Sequence, residues 1–380
     1  MLKEYHISEI GEVVGGGTPS TKNEAFWGGE IPWITPKDLA NYNSIYISKG
    51  QYSITEDGLR SGSRLLPENT VLFTSRAPIG YVAIAKNKIA TNQGFKSIIC
   101  DEKKCHHLYL YYFLKSNLSY IKLFGSGSTF PEISGSVMKK IKINIFADVA
   151  KQKKIASILS AYDDLIEKNN RKIAILQQMA EELYKEWFVR FRFPGYKTVK
   201  FYKGLPEGWE YGTIKDLGSF VRGKNITADE MEEGDIPVIS AGIEPSGFHN
   251  ESNVQGISIT ISSSGANAGF LRINYSDIWA ADCSFLNDIE NIFYMYELLN
   301  NMRPCIDNLQ RGAAQPHVYP KDINKLKIVL PPIQLRTKFN EMAKQVHLAI
   351  ATLQKQNKNL TQQRDLLLPR LMSGKLKVKA

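Results

Sequence analysis

The chain is 380 residues long and 43% hydrophobic, and its 48 Lys and Arg against 38 Asp and Glu give a formal charge of +10. At roughly 100–200 residues per domain this predicts two or three domains with ordinary cores, and no run of about 18 apolar residues offers a membrane span. The opening Met1-Leu2-Lys3-Glu4-Tyr5-His6 lacks the apolar core of a signal peptide, so a cytoplasmic location is expected, with Cys100, Cys105, Cys283 and Cys305 reduced. The basic balance favours a polyanionic partner such as nucleic acid, but an ordinary basic protein also fits it.

From the N-terminus, Gly15-Gly16-Gly17-Thr18-Pro19-Ser20-Thr21-Lys22 combines backbone that permits close approach with hydroxyls and a lysine suited to phosphate. Val71-Leu72-Phe73 and Tyr81-Val82-Ala83-Ile84 read as short strands between Gly and Pro punctuation. Thr74-Ser75-Arg76 and Thr91-Asn92-Gln93-Gly94 place polar side chains beside turns. There Arg can take guanine bidentately, and Asn or Gln can take adenine. Taken singly, each is also an ordinary polar turn. Cys100, Cys105, His106 and His107 cluster possible metal ligands, but no second pair lies near, and a solvated turn before a helix at Leu108–Leu118 is expected instead. Leu123-Phe124-Gly125-Ser126-Gly127 follows a helix rather than a strand, which argues against a nucleotide-type glycine loop.

After the strand Ile141-Lys142-Ile143 the pattern changes. Ile155, Leu159, Tyr162, Ile166, Asn169, Ile173, Leu176, Ala180, Leu183 and Trp187 alternate in steps of four and three, the seam of a coiled coil, and Pro194-Gly195 follows it. The chain then repeats itself at an offset of roughly 185–205 residues, too long for a solenoid unit and fitting a duplicated domain plus helix. Ile10-Gly11 recurs as Leu217-Gly218 and Ile31-Pro32 as Ile236-Pro237. Ala77-Pro78-Ile79-Gly80 recurs as Gly265-Ala266-Asn267-Ala268-Gly269, and Gly127 to Pro131 as Gly312 to Pro316. A second seam closes the chain: Val346, Ile350, Leu353, Asn357, Leu360, Arg364, Leu367 and Leu371. Polar residues in a seam cost stability but can fix register.

The expected fold class is α+β: two β-rich domains related by a pseudo-twofold axis and separated by two long antiparallel coiled-coil helices. The expected boundaries are 1–147 for the first domain, 148–195 for the central helix, 196–332 for the second domain and 333–380 for the C-terminal helix. The candidate DNA-contacting residues of the first half are Thr18, Ser20, Lys22, Lys37, Ser75, Arg76, Asn92, Gln93, Ser128 and Thr129; those of the second are Ser263, Ser264, Asn267, Arg311 and Gln315. No phosphate-binding loop, nuclease cluster or nucleophile elbow is found. Leu330-Pro331-Pro332-Ile333 lacks both the polar and the aromatic residue of an amino-methyltransferase tetrad. No catalytic residue, metal or cofactor is therefore expected.

Across essentially its full length the sequence resembles the specificity subunit of type I restriction–modification enzymes. The resemblance rests on Gly16 to Ser20, Ile31 to Leu39, Ala90 to Phe95, Gly127 to Ile133, Leu183 to Phe188 with Phe193-Pro194-Gly195, and Arg364 to Leu371 with Ser373-Gly374. The chain departs from the family at the helix entries. Ala147 to Gln152 keeps only the glutamine of the Pro-Pro-Leu-x-Glu-Gln pattern, and Pro331 to Arg336 keeps only the prolines. The resemblance implies a non-catalytic target reader with one domain per half of a bipartite, asymmetric DNA site. Its helices would set the spacer and dock two methyltransferase subunits, and motor-nuclease restriction subunits would join for cleavage. A self-sufficient methyltransferase–nuclease, or a scaffold that binds RNA or protein, is the alternative.

Overall fold

Val71-Leu72-Phe73 is buried at all three positions, as a central strand requires. In the computed structural model, which describes residues 1–127, 131–287, 289–311 and 316–378, this run is the middle of a five-stranded sheet. Two compact units divide the chain: Met1–Asn169 with Gln356–Ala380, and Asn170–Lys355.

The first unit contains β1 (Leu2–His6), β2 (Gly11–Gly15), β3 (Trp27–Ile34), β4 (Tyr46–Ile47), β5 (Tyr52–Ile54), β6 (Val71–Phe73), β7 (Val82–Ala85), β8 (Ala90–Thr91), β9 (Lys96–Cys100) and β10 (Lys142–Phe146). β1 pairs antiparallel with β10, from Leu2 opposite Phe146 to His6 opposite Lys142. The larger sheet runs β2-β9-β6-β7-β4 and the smaller β5-β3-β8, with β3 and β8 parallel. The helix His107–Ser116 buries Tyr109 to Leu114.

The second unit adds β11 (Phe201–Tyr202), β12 (Leu205–Pro206), β13 (Glu210–Thr213), β14 (Val221–Arg222), β15 (Ile236–Ile239), β16 (Gly247–His249), β17 (Ser258–Ser262), β18 (Leu271–Asn274), β19 (Trp279–Ala280), β20 (Cys283–Asn287) and β21 (Lys327–Leu330). Its sheets repeat those of the first unit: β13 pairs with β21, β14-β20-β17-β18 form the larger sheet, and β16-β15-β19 form the smaller, again with one parallel pair. The helix Ile292–Asn301 matches His107–Ser116 in place and length. The duplication read from scattered sequence matches is thus a duplication of strand order.

The first long helix, Val149–Tyr184, and the second, Ile333–Met372, carry the two seams. Within the first unit, Asp163 pairs with Arg364, and Asn169 Nδ2 donates to Asn357 Oδ1 at 2.9 Å. The partner number falls as the helix number rises, so the pair is antiparallel there, and the seam's polar residues bond to one another or to Asp163. Ile155 and Leu159 join the first domain's core together with Leu371 and Met372. In the second unit, Tyr184, Trp187 and Phe188 pack with Phe339 and Ala343.

The α-helix of the expected 148–195 segment stops short of Pro194, and Lys185–Val189 forms a wider π turn. The turn lets two successive aromatics, Trp187 and Phe188, enter the same core, where their ring centroids lie 5.8 Å and 5.1 Å from that of Phe339. Pro369 lies inside the last turns of the second long helix rather than ending it; Gly374, at φ +74°, follows the helix.

Candidate nucleic-acid interface

Three segments of the first domain are clasped side by side. Thr74 Oγ1 donates to Pro78 O at 2.8 Å and accepts from Gly80 N at 3.1 Å and Tyr81 N at 2.8 Å, which pins the 74–80 loop. Ser75 N–H donates to Gly94 O at 2.8 Å, and Ile133 N–H donates to Ser75 O at 3.0 Å. These bonds bring together Ser75, Arg76, Asn92 and Gln93, and with them two charged residues that sequence reasoning missed as site members, Lys96 and Glu132. Arg76 lies 3.3 Å from one carboxylate oxygen of Glu132, and Lys96 lies 3.4 Å from the other. Lys96 Nζ is also 3.5 Å from Ser75 Oγ and from Gln93 O. Thr18 donates its hydroxyl proton to the Gln93 side chain, which adds the glycine-rich turn to the group.

Not every candidate presents its side chain. Ser75 is fully buried and its hydroxyl donates to Gly94 O at 3.2 Å, so it holds the loop rather than faces outward. Asn92 spends its carbonyl oxygen on Gly94 N at 2.9 Å. Ser20, Lys22 and Lys37 are exposed. Ser128, Thr129 and Gln315 lie outside the described residues.

The second domain rebuilds the same backbone frame with other side chains. Ser263 N–H donates to Asp282 O at 3.2 Å and Val318 N–H to Ser263 O at 3.0 Å, so Ser263 stands where Ser75 does and Ser264 where Arg76 does. Arg76 bridges Glu132 and Ser264 bridges His317, which makes His317 the counterpart of Glu132. Ser263 is fully buried. Here one carboxylate, Asp282, receives both the Ser264 hydroxyl and the Arg222 guanidinium. Arg311 is exposed and pairs with Asp322 at 3.1 Å, and Asn267 is half-buried on the turn Gly265–Asn267. Arg222 and Asp282 were also missed.

The glycine-rich turn has a different cause from the one expected. A Cβ on Gly16 would come within 2.0 Å of Asn92 O, and one on Gly17 within 1.7 Å of Gly62 O. The approach these glycines permit is that of the protein's own backbone. Gly223 repeats the role of Gly16, since its Cβ would meet the Ala280 and Ala281 carbonyls at 2.5 Å. Gly17 O accepts from the Trp33 indole at 3.0 Å, and its counterpart Lys224 O accepts from the Trp279 indole at 2.8 Å, although the two tryptophans stand on different strands. Gly16→Ala is therefore expected to lose about 2–3 kcal/mol in denaturant unfolding, because the clash is with backbone that cannot rotate away. Gly15→Ala, whose nearest neighbour is Lys96 Cδ at 4.0 Å, is the matched control and should stay near wild type.

The Cys100–His107 turn is explained by its own hydrogen bonds. Glu102 Oε1 accepts from His107 N at 3.2 Å and His107 Nδ1 at 2.6 Å, closing the start of the helix. All four cysteines are free, and burial pushes the Cys283 thiol up to about 12, away from reactivity at neutral pH.

Residues 2–178 and 206–362 match the family model described as "Type I restriction modification DNA specificity domain", once per repeat. The chain is 38% identical over 406 residues to the type I restriction enzyme MjaIX specificity subunit of Methanocaldococcus jannaschii, an alignment covering 98% of this chain and 93% of the relative. It is 23% identical to the Escherichia coli EcoprrI specificity subunit, covering 86% and 83% respectively. Its fold is similar to the crystal structure of a type I restriction–modification S subunit from M. genitalium, at TM-score 0.66 and 20% identity, over 98% of this chain and 96% of that one. The chain thus belongs to the type I restriction–modification DNA-specificity family, whose members are the non-catalytic, DNA-sequence-recognising components of assemblies with methyltransferase and restriction subunits.

Proposed function

We propose that residues 1–147 and 196–332 are two target-recognition domains, each reading one half of a bipartite, asymmetric DNA site. The long helices within 148–195 and 333–380 would set the spacer and seat two methyltransferase subunits. Work on cellular DNA would place the chain in the cytoplasm. The observation that carries this reading is one backbone frame built twice with different charges: Arg76, Lys96 and Glu132 in the first domain, and Ser264, Arg222 and Asp282 in the second. A shared frame approaches DNA in the same way, while different side chains read different bases.

In this reading Arg76, Gln93, Ser264, Asn267 and Arg311 are base-reading candidates. Thr18, Ser20, Lys22 and Lys37, together with the hydroxyls of Ser128 and Thr129, would contact the backbone, and Gln315 would join the readers of the second domain. Asn92, Ser75 and Ser263 would shape the loops. Glu132 holds Arg76 in place before DNA arrives.

The test compares two variants in the assembled methyltransferase on DNA of matched and mismatched half-sites. Arg76→Ala is expected to lower affinity for the cognate site by about 1–3 kcal/mol and to relax discrimination at one base pair of one half-site. Lys22→Ala is expected to weaken all sequences alike and to reduce the salt slope by about 1. Unchanged discrimination in Arg76→Ala would remove that residue from the reading set.

A further inference from the structure

The two repeats attach their domains to the long helices at equivalent places by unlike chemistry. Tyr112 is the sixth residue of His107–Ser116, and Glu297 is the sixth of Ile292–Asn301. Asp163 is the fifteenth residue of the first long helix, and His347 is the fifteenth of the second. In the first unit the Tyr112 hydroxyl donates to Asp163, whose other oxygen takes Arg364 from the second long helix. In the second unit His347 Nε2 lies 3.0 Å from Glu297 Oε1, and its Nδ1 lies 2.9 Å from the Tyr275 hydroxyl. The His347 ring stacks on Phe293 at 4.9 Å and meets the edge of Tyr296 at 5.4 Å. Glu297 is 2% exposed and His347 1%, and Glu297 Oε2 has no hydrogen-bond partner. Arg364 is the thirty-second residue of its helix and is half-buried; the thirty-second of the first long helix is the buried Ala180.

We infer that these are two non-interchangeable locks, Tyr112–Asp163–Arg364 and Glu297–His347–Tyr275, that assign each domain to its own place on the helices. The exchange of partners shows why. A domain carrying Glu at the sixth position, set against Asp163, would put two carboxylates in a buried site with one guanidinium between them. A domain carrying Tyr there, set against His347, would leave the imidazole without its carboxylate. A buried group that loses its partner is far more costly than a packing mismatch. The duplicated fold alone would let either domain sit in either position, or let the domains of two copies trade places. The locks oppose both outcomes. Tyr112, Asp163, Glu297 and His347 are thus positioning residues, acting through the orientation of the domains they hold.

The experiment uses the full chain and four variants: Tyr112→Phe, Tyr112→Glu, Asp163→His, and the pair Tyr112→Glu/Asp163→His, which installs the second lock's carboxyl–imidazole pair in the first unit. Thermal unfolding and hydrogen exchange of residues 107–116 are the readouts. Tyr112→Phe should lower the melting temperature by a few degrees, because Asp163 loses one donor and keeps Arg364. Tyr112→Glu should lower the melting temperature by about 10 °C and strip protection from the helix. The pair should recover more than half of that shift, beyond what the sum of the single changes allows. If Tyr112→Glu does not accumulate as folded chain, the pair decides alone: it folds if the transplanted lock is accepted and fails if it is not. The inference is overturned if Tyr112→Glu is no worse than Tyr112→Phe, or if adding Asp163→His deepens the loss.

Discussion

Lengthening both long helices by one heptad, with insertions after Lys172 and after Leu353, is expected to move the two half-sites of the methylated motif apart by about 3 base pairs. Seven residues extend each seam without rotating it, because the apolar positions recur in steps of four and three. At 1.5 Å per residue the added length is roughly 10 Å, and a base pair rises about 3.4 Å. The insertion points follow from the antiparallel pairing. Asn169 meets Asn357 and Asp163 meets Arg364, so residues 172 and 354 stand level, and insertions there leave both polar contacts whole. The new half-sites also turn around the duplex, so some affinity should be lost to twisting or bending. A heptad in one helix alone would set seam residues against the wrong partners, and should lower the melting temperature instead of changing the motif. The motif is read by sequencing methylated DNA made with the methyltransferase subunits. An unchanged spacer at full activity would mean that the helices do not measure the site.

Replacing residues 1–147 with the matching domain of the M. jannaschii relative is expected to change one half-site and leave the other as it was. The frame that clasps residues 74–80 and 91–96 to Glu132 and Ile133 is internal to the first domain, as is the charged group of Arg76, Lys96 and Glu132 on it. The graft must still dock through Ile143, Ile145 and Phe146 onto Ile155, Ala156 and Leu159. It must also present a hydroxyl donor to Asp163 where Tyr112 stands. Methylation mapping reads the result. Altered bases in both half-sites would end the modular reading.

Periodicity and repetition were enough for the architecture. Seam positions such as Leu159, Asn169 and Ile350 came from spacing alone, because a narrow stripe every three and four residues is the pattern by which long helices pack along one another. The duplication was legible in a handful of Gly and Pro turns, whose backbone demands survive when side chains diverge. The functional side chains were harder. Polar loop residues look alike in sequence, and only folding showed that Ser75 points inward while Arg76, one residue on, reaches Glu132 across 56 positions. Lys96 and Asp282 gave no local signal, since an ion pair depends on which distant strands become neighbours. Gly16 carried a correct signal with an incorrect cause: its missing Cβ makes room for the Asn92 carbonyl. The two locks were decided in the same way. Tyr112, Asp163 and Arg364 are ordinary helix residues until three helices meet, and the buried Tyr112 hydroxyl then finds its partner in a half-buried carboxylate that also takes a guanidinium.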